Sequence, residues 1–188
     1  ALDELAGRVE ITVGGKPSIE LKSTLDDLIM YPYGCGEQVG SRTQGLLAAM
    51  QLDSEVSGYS SEELSAMVLS GIQKLWRLQN RDGGIGYWQG QTSDPWLTMR
   101  TALIALDAHD EDIELPEDFL DQLLSNIQKN IRSTSWAKSF RIQAMACRVL
   151  ARAGTPDEAV LASLSTNING LDIQSRAHLA DAHFALGN

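Results

Sequence analysis

The 188-residue sequence is poor in cysteine, histidine and aromatic residues, and it contains no long apolar run. Its two cysteines, Cys35 and Cys147, are too few for a disulfide framework, and they lack metal-ligand spacing. The three histidines are scattered, so we expect no zinc site and no cofactor. No apolar run reaches the ~18 residues of a membrane-spanning helix, so we expect no membrane insertion. The first residues show neither the basic nor the apolar region of a signal peptide.

Basic residues are also scarce. Lysine and arginine total 15 against 25 aspartates and glutamates, which gives a formal net charge of −10. Such a chain cannot neutralise a run of phosphates, so nucleic acid is excluded as a general partner. Docking on an anionic membrane surface is excluded for the same reason. The apolar fraction of 43% and the charged fraction of 21% are ordinary for a globular protein.

Residues 1–22 and residues 23–188 show different patterns. Residues 8–13 alternate polar and apolar side chains before a Gly-Gly pair, which predicts an extended or β lead-in, or an inter-domain junction, over 1–22. From residue 23 onward, apolar residues recur at spacings of three and four, which predicts amphipathic helices joined by short turns. We therefore predict an all-α fold of packed helical hairpins over 23–188. The periodicity alone fits both a ring of hairpins, an α/α toroid, and a globular bundle.

Capping signals mark several helix starts. Ser60 and Ser61, followed by two glutamates, predict a helix start, and Ser93 and Asp94 before a proline predict another. The glycine-rich loop at residues 80–88 predicts a tight turn between packed helices rather than a ligand pocket. The pattern over residues 135–153 predicts one long amphipathic helix, in which Cys147 is a buried small residue.

One segment departs from this helical pattern. Residues 31–38 read YPYGCGEQ, with a cysteine between two glycines at the predicted start of a helix. Cys35 and Gln38 are three residues apart, and side chains at that spacing share one face of a helix. Gly34 and Gly36 leave room beside the sulfur atom. The spacing therefore allows the thiol and the carboxamide to meet.

On the residues alone, three interpretations of Cys35 remain open. A lone cysteine at a turn is most often a small hydrophobic residue. A thiol activated by a histidine, as in a cysteine protease, needs a histidine that no motif links to Cys35. In the third interpretation the thiolate attacks the Gln38 carboxamide, ammonia leaves, and an internal thioester remains. Such a bond stores an activated acyl group, which an amine or a hydroxyl can take.

The same segment resembles the thioester signature of the α2-macroglobulin and complement superfamily. Residues 34–38 read GCGEQ, and with the preceding YPY and the following SR they are most similar to bacterial α2-macroglobulins. Three further motifs resemble that family in the same order, namely LQNRDGGIGYW at 78–88, SDPWLT at 93–98 and VLARAG at 149–154. The resemblance covers the chain from about residue 21 to its end.

The resemblance implies an α/α toroid that serves as the thioester domain of a larger protease inhibitor. In that family a protease cuts a bait region, the thioester is exposed, and a lysine amine or a hydroxyl of the attacker takes the acyl group. Cys35 is then the thiol and leaving group, and Gln38 supplies the acyl carbon. The supporting residues implied by the resemblance are Tyr31, Pro32, Tyr33, Gly34, Gly36 and Glu37. The first three would form an apolar hood against water, and Glu37 is assigned no chemical step.

The resemblance also implies partners and a location. The expected partners are proteases or other proteins with reactive lysine amines, together with other domains of the parent protein. Bacterial members face the periplasm or the exterior, so we expect a periplasmic or extracellular protein. The thioester is consumed in one reaction, so the expected protein is a single-turnover trap and not an enzyme.

Some features depart from the family pattern. Gly36 stands where bacterial members usually have a larger residue, and in this it resembles the animal proteins. No histidine lies in the motif that attacks the thioester first in hydroxyl-preferring complement proteins, so we expect a preference for amines. The alternative is a non-covalent binding or scaffold module of the same fold, with its thioester absent or hydrolysed. A toroid enzyme such as a terpene cyclase is more distant, because Asp-rich motifs are absent.

Overall fold

The computed structural model describes residues 21–30, 34–52 and 54–187, and these residues form an all-α fold. The helices are α1 (Leu21–Met30), α2 (Gly36–Met50), α3 (Ser54–Ser57), α4 (Ser61–Trp76), α5 (Pro95–Asp110), α6 (Phe119–Asn130), α7 (Phe140–Arg152), α8 (Glu158–Thr166) and α9 (Ile173–Ala185). Short 3₁₀ turns occupy Trp136–Lys138 and Ile168–Gly170. The predicted all-α class is confirmed. The predicted lead-in lies outside the described residues except for its last two positions, which begin α1.

The helix starts that carried capping signals lie where the sequence placed them. The Ser60 hydroxyl accepts a hydrogen bond from the Glu63 backbone N–H, and the Glu63 carboxylate accepts one from the Ser60 N–H at 2.8 Å. This reciprocal pair satisfies two backbone donors that the first turn of α4 would otherwise leave unpaired. At α5 the Asp94 carboxylate accepts from the Leu97 N–H at 2.8 Å. Both helices therefore begin at fixed residues.

The single long helix predicted over residues 135–153 is wrong. The chain makes a 3₁₀ turn at Trp136–Lys138, becomes extended at Ser139 and enters α7 only at Phe140. The Ser139 hydroxyl accepts from the Ile142 N–H and caps the new helix. A serine side chain competes in this way for the hydrogen bonds of the helical backbone. Trp136, in the 3₁₀ turn before the break, is buried in the core and only 7% exposed.

Helix α5 lies at the centre of the described residues. It packs against α2, α4, α6 and α7, and it is buried on nearly every side, unlike an amphipathic surface helix. Helix α2 lies against both α4 and α5. Small residues allow the close approach, since Gly71 of α4 faces Thr43, and Gly40 of α2 faces Ile104. These contacts fix the position of the first turn of α2.

Helices α7 and α9 form the most extensive pair in the second half of the chain. Ion pairs cross it at Arg141–Asp172 and Arg148–Asp181, each with a 3.1 Å separation. Asp172 also caps α9 by accepting from the Ser175 N–H at 2.8 Å. This backbone hydrogen bond, followed by Arg141, lowers the pKa of Asp172 from 3.8 to about 2.

We predict that Asp172→Asn weakens the acid dependence of stability. A carboxylate whose pKa is depressed in the folded state stabilises the protein above its unfolded-state pKa, and that contribution is lost as the pH falls from about 4 towards 2. Asparagine keeps a cap acceptor but does not titrate. Urea unfolding at intervals between pH 5 and pH 2 should therefore show a shallower loss of unfolding free energy in the variant. Identical slopes for the two proteins would contradict this assignment.

Candidate functional site

Cys35 and Gln38 are brought together at the first turn of α2. Cys35 is the N-cap residue, with extended backbone angles of φ −67° and ψ 167°. Its backbone N–H donates to the Gln38 side-chain oxygen Oε1 at 3.1 Å. In the reverse direction, the Gln38 backbone N–H faces the Cys35 sulfur, a weak acceptor, in a capping-box arrangement. The carboxamide therefore folds back onto the residue that carries the thiol.

This arrangement has a chemical consequence for the carboxamide. A hydrogen bond to a carbonyl oxygen draws electron density from its carbon and stabilises the negative charge that develops there on nucleophilic attack. The donor is the backbone of Cys35 itself, so the polarised carbonyl and the thiol belong to one turn. Both side chains are half-buried and therefore partly accessible.

The turn that holds this pair rests on the glycine-rich loop. The Gly36 backbone N–H donates to the carbonyl oxygen of Tyr87 at 2.8 Å. Gly36 is buried so tightly that an added Cβ would lie 2.9 Å from Leu97 Cδ2 and 3.1 Å from the Gly86 carbonyl oxygen. This packing favours glycine at position 36, because a Cβ there would press on the loop carbonyl and on the Leu97 side chain. The structure thus gives a physical reason for the sequence departure noted above.

The loop is held rigid by its own hydrogen bonds. Asp82 accepts from the Gly84 N–H at 2.9 Å and from the Ser93 hydroxyl at 2.7 Å. The buried Ile85 donates its N–H to the Thr98 hydroxyl of α5 at 2.9 Å and accepts from the Asp94 N–H at 2.8 Å. The loop is therefore a fixed platform that joins α5 to the first turn of α2. Its prediction as a tight structural turn agrees with this geometry.

Glu37 anchors the turn from its other side. Its carboxylate accepts from Arg100 of α5 at 3.1 Å and from the Ser41 hydroxyl at 2.9 Å. Arg100 also donates to Gln44 at 3.1 Å and lies over the Trp96 ring, 5.1 Å from its centroid. With its carboxylate held by these donors, Glu37 helps to fix the position of the turn.

Tyr87 is an additional side chain at the site. Tyr87 is one of the exposed large side chains, with 36% of its surface accessible. Burial raises its pKa, and the negative charges of Asp94, Glu37 and Cys35 raise the pKa further. The phenol hydroxyl is therefore protonated at neutral pH. The predicted hood residues Tyr31, Pro32 and Tyr33 lie outside the described residues.

The other cysteine and two of the histidines lie on helices away from the first turn of α2. His178 and His183 are on α9, which packs against α7 and α8, and His183 Nε2 lies 2.9 Å from the Ser165 hydroxyl. Cys147 is buried in α7, as predicted, and burial raises its pKa to about 12. No cluster of three potential metal ligands exists among the residues that the structure describes. None of the helices in the described ranges is long and apolar enough to cross a membrane.

The site lies at an accessible helix end. A cavity of about 390 Å³ opens between α1, α2 and α4, and its lining residues include Ile29, Leu46 and Met67 but neither Cys35 nor Gln38. The pair is thus presented at the start of α2 rather than at the bottom of this cavity.

Sequence reasoning singled out the Cys35–Gln38 pair, which the structure brings together, but missed its surroundings. Leu97, Arg100 and Tyr87 are more than 50 residues from Cys35, and they reach the site only through tertiary packing. The one available signal for Tyr87 was its place in the LQNRDGGIGYW motif, which we interpreted as a structural turn alone. No local pattern pointed to Arg100.

Fold and site together define an all-α domain in which a cysteine and a glutamine are paired at a helix start. Comparison with known proteins finds sequence relatives among the bacterial α2-macroglobulins. The α2-macroglobulin of Escherichia coli (strain K12) is 28% identical over 160 residues, covering 76% of this chain and 10% of that protein. That of Xylella fastidiosa (strain Temecula1) is 27% identical over 92% of this chain and 11% of its own length. The chain therefore spans about a tenth of the length of these curated relatives.

Solved structures agree with the sequence relatives. Native E. coli α2-macroglobulin, spanning domain MG7 to the C-terminus, matches with a TM-score of 0.77 at 22% identity, over 92% of this chain and 29% of that one. The trypsin-activated E. coli protein matches with a TM-score of 0.69 at 22% identity, over 84% of this chain and 12% of that one. Salmonella α2-macroglobulin reacted with methylamine matches with a TM-score of 0.67 at 23% identity, over 92% of this chain and 13% of that one. At these identities the structural matches establish the fold.

No family model matches the chain. The chain is nevertheless similar in sequence and in fold to part of the bacterial α2-macroglobulins, as its motifs predicted.

We predict that Gly36→Ala destabilises the protein by about 1–3 kcal/mol, because the new methyl group meets the fixed Gly86 carbonyl. Gly40→Ala is the matched control in the same helix. Its Cβ would lie 3.3 Å from the nearest side-chain atom, Ile104 Cδ1, and alanine gains about 0.5–1 kcal/mol of helix preference over glycine. Chemical denaturation of both variants provides the test. Equal unfolding free energies would show that the loop yields to a side chain at position 36.

Proposed function

We propose that this chain is the thioester domain of an α2-macroglobulin-like protease inhibitor. In this proposal the Cys35 sulfur attacks the side-chain carbonyl carbon of Gln38, ammonia leaves, and a thioester joins the two residues. A lysine amine of an attacking protease then takes the acyl group, and Cys35 departs as a free thiol. The protease stays tethered through an amide at residue 38. The bond is consumed in one event, so the domain acts as a trap rather than an enzyme.

The observation that carries this proposal is the 3.1 Å hydrogen bond from the Cys35 N–H to Gln38 Oε1. It holds the carboxamide against the residue with the nucleophile, which converts thioester formation into a reaction within one helical turn. It also supplies a donor to the oxygen that becomes negative in the tetrahedral intermediate. The same donor serves when an external amine attacks the finished thioester.

The comparisons support the choice of reaction partners. The E. coli relative has been solved in a trypsin-activated form, and the Salmonella relative after reaction with methylamine. We accordingly propose proteases as partners and amines as the preferred nucleophiles. We also propose that the chain works inside a larger protein, since its relatives are about ten times longer. The resemblance to bacterial α2-macroglobulins leads us to propose that this protein faces the periplasm or the exterior.

Intact mass spectrometry tests the function directly. Closure of the thioester removes ammonia, so the protein should weigh about 17 Da less than its sequence, and methylamine should convert it to a product about 14 Da above the sequence mass. Peptide mapping should place the methylamide at residue 38, with release of one thiol at Cys35. Hydrolysis of a formed thioester would instead give about 1 Da above the sequence mass, from Gln38 to Glu.

Two variants serve as a negative and a positive control for this test. Cys35→Ala removes the nucleophile and should show the unmodified mass and no adduct. Cys147→Ala removes the other, buried thiol and should close and react like the parent protein. If the intact protein carries the unmodified mass and a free Cys35 thiol from the outset, the covalent proposal is wrong and the non-covalent module of the same fold replaces it.

A further inference from the structure

Arg100 of α5 bridges two places on α2, the helix that begins at the reacting pair. One guanidinium nitrogen, Nη1, donates to Glu37 Oε1 at 3.1 Å, and the other, Nη2, donates to Gln44 Oε1 at 3.1 Å. Glu37 and Gln44 are seven residues apart, so they lie on one face of α2, two turns from each other. A single side chain of α5 therefore fixes both the distance of α2 from α5 and the rotation of α2 about its own axis.

The Arg100 guanidinium is held in place by its own helix. It lies over the ring of Trp96, one turn earlier on α5, at 5.1 Å from the ring centroid. Its side chain is 19% exposed, the lowest value among the cations that form ion pairs in the part of the chain that the structure describes. A cation with so little exposure is less screened by water and salt than one on the open surface. The position of the guanidinium is therefore set by α5 before it contacts α2.

Glu37 links this fixed group to the reacting pair. It lies between Cys35 and Gln38 in the sequence, and its Oε1 also accepts from the Ser41 hydroxyl at 2.9 Å. The 3.1 Å contact from the Cys35 N–H to Gln38 Oε1 spans the same turn. Reacting atoms that are misplaced by about 1 Å can lower a rate about 100-fold. A group that holds Glu37 therefore acts on the reaction without touching the reacting atoms.

We propose that Arg100 is a positioning residue for the Cys35–Gln38 pair, an inference that rests on the proposed thioester function. It acts through Glu37 and holds the turn in the geometry from which the sulfur reaches the carbonyl carbon. The S–C bond then forms, the C–N bond breaks, and the nitrogen leaves with the thiol proton as ammonia. Arginine suits this role better than lysine, because its planar fork holds two acceptors in a fixed geometry whereas lysine presents a single nitrogen.

The test replaces Arg100 by methionine, which keeps an unbranched side chain beside Trp96 and removes every donor. Arg152→Met is the matched control, because Arg152 of α7 also pairs with α5, at Asp107 and Asp110, and its side chain is 24% exposed. In the intact protein we measure the closed fraction by mass and the rate at which methylamine releases the thiol. We expect Arg100→Met to lower the closed fraction or this rate about 10- to 100-fold, with Arg152→Met unchanged.

Two further variants separate positioning from support of the fold. Arg100→Lys restores the charge and one donor, so it should recover part of the loss, whereas a role in packing alone would be served equally by methionine. Glu37→Ala should lose as much as Arg100→Met, and the double variant should lose no more than either one, because the two residues act through one contact. Additive losses in the double variant would contradict transmission through Glu37.

Urea unfolding of each variant ensures that the rates refer to folded protein. If Arg100→Met does not fold, Arg100→Lys and Glu37→Ala provide the same comparison with the parent. Folded variants at both positions that close and react like a reactive parent overturn the positioning role alone. A parent protein that never closes its thioester overturns the proposed function and the positioning role together.

Discussion

The site depends on one backbone contact, the hydrogen bond from the Gly36 N–H to the Tyr87 carbonyl at 2.8 Å. The N–H groups at a helix start have no partner within the helix. Here the glycine-rich loop satisfies one of them and fixes the direction in which α2 begins. Cys35 and Gln38 take their positions from that beginning, and Glu37 secures it through Arg100. The glycine-rich loop, the first turn of α2 and helix α5 are thus held together by direct hydrogen bonds.

Local features of the sequence predicted the parts of this unit that depend on neighbouring residues. The starts of α2, α4 and α5 follow from capping and helix-breaking residues at adjacent positions. The shared face of Cys35 and Gln38 follows from their spacing of three residues. Ser139 is the instructive error, because a capping serine inside an amphipathic pattern stops the helix that the pattern alone would continue. The periodicity predicts which side chains are buried, whereas the cap formed by the Ser139 hydroxyl sets the residue at which α7 begins.

The surroundings of the site could not be predicted in this way. Arg100 reaches Glu37 across 63 residues of sequence, and Leu97 and Tyr87 reach Gly36 across comparable distances. Such contacts exist only after α5 has packed beside α2, and no periodicity encodes them. The resemblance of the motifs predicts a chemistry for the pair, whereas the structure gives a reason for the glycine at position 36. The family pattern therefore bears on what these residues do, whereas the packing bears on which residues fit at each position.

The two candidate reacting groups belong to a single helical turn rather than to two separate elements. Their relative position is set by the backbone between residues 35 and 38, so a sliding or tilting of one helix against another leaves it unaltered. A protein could therefore carry this domain through a large change of shape with the two groups still in register. What such a movement alters is the exposure of the pair to the outside, which makes accessibility the variable that a surrounding protein can control.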